Sequence, residues 1–229
     1  MLLVLLVLIL GMALGLSYSS SVPTPASPLS TVASFPRAAA VSDGLPCAGV
    51  ARDQGGTAVD TAVAALVCNG LYTPHSMGLG GGFLMTVYTR ATRQVEVLNA
   101  RETAPGFTTP DMFSGNASLS SKDALSVAVP GEMAGLWAAR RRYGNSSLSW
   151  RSLLQPSIDL ARHGIPVSAT LASTIRDMQW TDPVLAETYT DPETGRSWSE
   201  GQLHTRPRLA ATLESLALAG EEGAQLFYQ

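Results

Sequence analysis

Arg101 and Glu102 stand side by side near the end of PHSMGLGGGFLMTVYTRATRQVEVLNARETAP, residues 74–105. A guanidinium can grip a carboxylate with two parallel hydrogen bonds, so Arg101 is the residue whose type and place best suit anion recognition. The same spacing suits an ion pair between Arg101 and Glu102, and the residues alone leave both readings open. Gly78, Gly80, Gly81 and Gly82 suggest a phosphate-cradling loop at first sight. Their pattern, GLGGGF, lacks the third glycine of GxGxxG and opens a strand where phosphate loops open a helix. These four positions are therefore expected to need either positive φ or the absence of a Cβ. His75, His163 and His204 are far apart, no CxxC occurs, and no spacing announces a metal site. No nucleophile, base and orienting group are tied together by spacing either.

The elements that must position Arg101 follow from the flanking pattern. Residues 83–88 and 95–98 are rich in β-branched and aromatic side chains and are joined by the polar connection 89–94, which predicts a β-hairpin. Phe83, Met85 and Val87 alternate with Leu84, Thr86 and Tyr88, so both faces are partly apolar and the hairpin is expected inside a layered structure. Before it, Thr57 and Asp60 have capping-box spacing at the start of a helix over 58–68. Its small side chains call for a close neighbour. After it, residues 125–131 are expected to form a short buried strand. A helix follows over 130–143, with Met133, Leu136 and Trp137 on one face and Arg140, Arg141 and Arg142 as a solvated last turn. Helical spacing recurs over 150–163, with Pro156 expected to start a new helical piece, Gly164 to end it and His163 to cap it. Residues 168–180 are a further helix and 190–198 a polar turn. Thr205 is expected to cap a last clear helix containing Pro207, Leu209, Leu213 and Leu216, and GAQLFYQ begins another element.

Composition and the ends of the chain bound the class of protein. Fifteen basic residues against eighteen acidic ones, a net charge of -3, leave no electrostatic footprint for nucleic acid. Residues 1–16, MLLVLLVLILGMALGL, are uncharged on their side chains and precede a Ser/Pro-rich stalk over 17–40. The first segment is either a signal anchor or a secretory signal cut near 13–15, and both place residues 41–229, the domain, outside the cytosol. Cys47 and Cys68 are there read as a structural pair, closing a loop worth roughly 3 kcal/mol. The sequons at Asn116 and Asn145 are glycan acceptors on surface loops in that setting.

Four blocks taken together, HSMGLGGGFLMTVY with VLNARETAP, then LSVAVPGE, then WRSLLQPSIDLARHG, resemble the N-terminal part of the large subunit of γ-glutamyltransferases, or glutathione hydrolases. The resemblance runs from about Val41 onward. It implies an α+β fold of the N-terminal-nucleophile hydrolase type, a four-layer αββα sandwich incomplete in this chain, and a disulfide between Cys47 and Cys68. It implies a single-pass membrane protein with its domain outside the cell, the secreted form being the alternative. In such enzymes the N-terminal threonine of a small subunit attacks the γ-glutamyl amide of glutathione or a related compound, and water or an amino acid resolves the acyl-enzyme without metal or cofactor. Arg101, in the Asn-Ala-Arg-Glu block, is then the ligand of the glutamyl α-carboxylate. The nucleophile is expected outside these residues. Thr73-Pro74-His75 has a threonine two residues before a histidine, but Met77 stands where the family's Thr-Xaa-His-Xaa-Ser/Thr needs a hydroxyl. The expected function is glutathione hydrolysis and γ-glutamyl transfer by a protein of which this chain is part. The alternative is an inactive truncated form acting as a secreted or anchored interaction protein.

Overall fold

The structure is a computed structural model that describes residues 39–44, 47, 56–121 and 124–228. The expected leader at 1–16 and nearly all of the stalk at 17–40 lie outside the described residues. From Ala38 onward the chain forms one compact unit. Its character is mixed α+β, with helices α1 (Ala58–Tyr72), α2 (Glu132–Tyr143), α3 (Trp150–His163), α4 (Ala169–Ile175), α5 (Pro183–Tyr189), α6 (Pro207–Ala219) and α7 (Gly223–Phe227). The strands are β1 (Phe83–Thr89), β2 (Gln94–Ala100), β3 (Ile165–Pro166) and β4 (Leu203–His204), paired as two antiparallel two-stranded sheets.

Helix α1 begins where its capping box predicts: the Thr57 hydroxyl accepts the Asp60 N–H, and the Asp60 carboxylate accepts the Thr57 N–H at 2.9 Å. The same carboxylate oxygen accepts the Asn145 N–H at 2.7 Å, so one buried aspartate fixes both the start of α1 and the turn between α2 and α3. The helix runs four residues past Cys68. Gly70 does not stop it, because a Cβ there would meet the Cα of Gly78 at 3.0 Å; the glycine makes room for a neighbour inside a continuing helix.

Helices α1, α2, α3 and α6 share one core with the inner face of the hairpin. Val63, Met133, Leu136, Leu153, Leu154, Ile158 and Leu213 are closed to solvent, and Trp150 meets Trp137 edge-on at 5.0 Å. Pro156 lies within a single helix α3 instead of starting a new one. The lost backbone hydrogen bond is outweighed because Leu153, Leu154 and Ile158 around it are all anchored in the core. A smaller cluster of Val167, Leu171, Ala172 and Ile175 carries Trp180, Tyr189 and Trp198. Helix α4 stops at Ile175, five residues before the expected end, and α5 is a short helix capped by Asp182 that propensity did not disclose. Thr205 does not cap α6; Arg206 occupies that position without a side-chain cap, and Pro207 stands in the first turn.

The hairpin pairs Phe83 with Ala100 through to Thr89 with Gln94. Phe83, Met85, Val87 and Leu98 face the core, whereas Leu84, Tyr88, Val95 and Val97 on the other face are each about 60% exposed or more. Residues 125–131 are not a buried strand. They comprise a 3-10 turn at Ala124–Ser126 and a single bridge from Val129 to Thr103, and Val127 is exposed. Their apolar alternation sits on a surface segment, which composition alone cannot distinguish from a buried strand.

Candidate functional site

The site assembles where β2 leaves the hairpin. Gly82 and Gly131 close around the backbone of residues 100–102, and Gly135 packs against the Ala100 Cβ and the Phe83 ring. A Cβ on Gly82 would stand 2.3 Å from the Ala100 carbonyl oxygen, one on Gly131 equally 2.3 Å from it, and one on Gly135 2.2 Å from the Ala100 Cβ. These distances forbid any side chain without moving the strand. The N–H groups of Gly131 and Glu132 both donate to the Gly81 carbonyl, at 2.9 and 3.0 Å, and tie the start of α2 to the glycine turn. Thr103 and Val129 exchange two backbone hydrogen bonds just beyond. Of the four glycines in the turn, Gly78 has φ +152°, Gly81 would crowd the Gly78 carbonyl and Gly82 is packed shut, but Gly80 has open space around it and no positive φ. The expectation that all four need glycine is corrected at Gly80.

Held in this way, the Arg101 N–H donates to Asn99 Oδ1 at 3.1 Å and its side chain leaves the backbone toward solvent. Its Nε pairs with Glu102 Oε2 at 3.1 Å, with 63% of the arginine side chain exposed and 25% of the glutamate. The ion pair that the sequence left open is therefore formed, through one nitrogen. Among the described residues no other group engages the guanidinium, so its remaining donors face outward. Around Gly81 the Glu102 carboxylate has a second acidic neighbour. Glu132 is 1% exposed, and neither of its oxygens has a hydrogen-bond partner within normal distance and angle. Burial pushes its carboxyl up from the ordinary range, the Gly78 amide opposes this, and the charge of Glu102 reinforces it. A cleft of about 240 Å³ adjoins these residues, lined by Met77, Gly78, Gly80, Glu132, Arg206 and Leu213 among others.

The other residues singled out in the sequence lie elsewhere. Cys47 and Cys68 form a disulfide, and Asn69 beside it accepts from the Gly44 N–H and the Ser42 hydroxyl. Asn116 is exposed and its side-chain oxygen accepts from the Ser118 N–H and hydroxyl, while the Asn145 oxygen accepts the Ser147 N–H. The Thr73 hydroxyl is spent on the Asn69 carbonyl at the end of α1 and His75 is exposed, so this pair forms no reactive site. His163 is exposed, with no hydrogen bond from its ring among the described residues. Among the described residues no group of three or more His, Cys, Asp or Glu is placed to hold a metal ion, and no helix is long and apolar enough to cross a membrane.

Two features were missed by sequence reasoning. Glu132 is one, since its burial depends on the hairpin lying across α2. His204 is 1% exposed beneath Trp198 with neither ring nitrogen hydrogen-bonded. Burial, aided by the Arg206 charge, lowers its pKa to about 4.

The sequence profile of the family described as Gamma-glutamyltranspeptidase matches residues 47–229. Scoloptoxin SSD14 of Scolopendra dehaani is 40% identical over 98% of this chain and 39% of its own length. Glutathione hydrolase 5 proenzyme of Rattus norvegicus is 38% identical over 85% of this chain and 34% of its own length. The crystal structure of Helicobacter pylori gamma-glutamyltranspeptidase superposes with a TM-score of 0.78 at 27% identity, covering 86% of this chain and 58% of that one. The chain thus spans about a third to two-fifths of the length of these curated relatives.

Proposed function

Because the chain belongs to the gamma-glutamyltranspeptidase family, we propose that it contributes the carboxylate-binding part of a glutathione hydrolase or γ-glutamyl transpeptidase, with Arg101 as the ligand of the glutamyl α-carboxylate. The observation that carries this reading is the Arg101 side chain itself: held at its backbone by Gly82 and Gly131, paired through Nε alone, and open to solvent on its remaining donors. A carboxylate approaching from solvent meets a fork already oriented by Glu102, so little side-chain freedom remains to be lost on binding. The chemistry would be completed by a threonine from a partner segment, the small subunit. Its Oγ attacks the γ-carbonyl, the amine leaves with a proton, and water or an amino-acid acceptor then releases the γ-glutamyl group.

Two further parts of the reading rest on the same family. The exposed apolar face of β1–β2 is where additional sheet would stack to complete a four-layer αββα sandwich. The apolar residues 1–16 would place the domain outside the cell as a membrane-anchored or secreted glycoprotein carrying glycans on Asn116 and Asn145; a mass shift on deglycosylation of the exported product checks this.

The decisive experiment compares wild type with Arg101→Ala in a longer product that includes a downstream Thr-Xaa-His segment. Loss of a charged hydrogen bond of about 1.5–3 kcal/mol should raise KM for a γ-glutamyl anilide roughly 10- to 100-fold. Equal KM in the two proteins would remove Arg101 from this role.

A further inference from the structure

The least explained group near the site is the Glu132 carboxyl, and its surroundings give it a task. It sits under the glycine turn with 1% of the residue exposed and both oxygens unpartnered. A point one bond from the Gly81 Cα lies 3.8 Å from Glu132 Oε2 and 3.6 Å from Glu102 Oε1, so the two carboxyls flank the same spot on the turn. Glu102 faces both ways: Oε1 lies on the Gly81 side toward Glu132, while Oε2 holds Arg101. The Glu132 N–H donates to the Gly81 carbonyl, which fixes the start of α2 to this turn.

The charges around this carboxyl can be named element by element. The end of β2 presents Arg101 and Glu102. The glycine turn offers the Gly78 amide, the α6 N-terminus brings Arg206 to the same cleft, the α5 end brings Tyr189, and α1 contributes the apolar Val67 and Leu71. None of them forms an ion pair with Glu132. A buried, unpaired carboxyl beside another carboxylate favours its neutral form, since ionisation would add desolvation and like-charge repulsion together.

We propose that Glu132 is a second, proton-dependent determinant of anion binding at Arg101. Neutral, it leaves Arg101 and Glu102 as a balanced pair able to accept a carboxylate. Ionised, it adds a negative charge behind Glu102 that repels that carboxylate and draws the guanidinium inward. The Glu102 charge and the Glu132 proton are thereby coupled across Gly81. The coupling between the two carboxyls stands on the geometry alone, whereas its effect on a ligand rests on the reading of Arg101 given above.

The test separates those two layers. In the full chain with 13C-labelled glutamate carboxyls, assigned through Glu102→Gln and Glu132→Gln, the Glu132 signal should titrate late, and Glu102→Gln should move that titration to lower pH by removing the neighbouring charge. Burial holds that titration above the ordinary carboxyl range, and Glu132→Gln should abolish it. A Glu132 titration identical in wild type and Glu102→Gln overturns the proposal. Calorimetric binding of L-glutamate should weaken at least tenfold as pH rises through the Glu132 titration in wild type and stay flat in Glu132→Gln, which keeps shape but cannot ionise. If coupling is seen and wild-type affinity nevertheless ignores pH, the proposed control of binding is overturned. If coupling is seen and Arg101→Ala binds L-glutamate as wild type does, the assignment of the ligand to Arg101 fails and control of binding there fails with it, while the coupling remains.

Discussion

At the residue scale the protein hides two titratable groups with opposite effects on stability. His204 has a folded pKa of about 4 against an ordinary 6.5. The folded state therefore refuses a proton that the unfolded chain accepts, so its contribution is complete above pH 6.5 and is lost as pH falls toward 4. The gap corresponds to about 3 kcal/mol. Urea unfolding of wild type should lose stability of this order between pH 7 and 4, and His204→Leu should flatten that part of the profile; parallel profiles would show that His204 is not the titrating group. Glu132 works in the other direction. Its raised pKa means that its ionisation disfavours the fold as pH increases, and Glu132→Gln should remove that loss.

Elements are held here by contacts so close that side chains are excluded. The clamp of Gly82 and Gly131 on residues 100–102 makes the exit of β2 one of the least adaptable places in the molecule. Gly82→Ala should cost about 2 kcal/mol or more, because backbone atoms rather than a flexible side chain must yield. Gly80→Ala, two positions away in open space, should lie within about 0.5 kcal/mol of wild type. Thermal or urea unfolding of the two variants decides the matter, and equal losses would disprove the clamp. Much of the element structure was legible: the capping box of Thr57 and Asp60, the alternation through 83–88, and the core stripe of Met133 and Leu136 each follow from local pattern. What escaped was decided by neighbours. Residues 125–131 carry strand-like alternation without a sheet to join, and Pro156 survives inside α3 because core packing on both sides exceeds the cost of one missing hydrogen bond.

For the whole molecule, the hairpin poses a question of completeness. One face closes the core over α2, and the other presents Leu84, Tyr88, Val95 and Val97 to solvent. Val97→Lys should therefore leave the stability of this chain within about 0.5 kcal/mol of wild type, since an exposed position loses no packing. In a longer product that stacks further sheet on this face, the same substitution should abolish γ-glutamyl transfer by burying an unpaired ammonium. Full activity of that product would mean that the face stays open.

The sequence by itself determined the family blocks, the hairpin and the capping box of Thr57 and Asp60, because each is written in local spacing and side-chain type. Only the tertiary structure decided that Arg101 pairs with Glu102 through a single nitrogen, that Gly80 is not required where Gly82 is, and that Glu132 and His204 are sealed from water without partners. Those outcomes depend on which surfaces meet across tens of residues, and the free energy of a charge or a Cβ is set by those neighbours and not by the residues beside it in the chain.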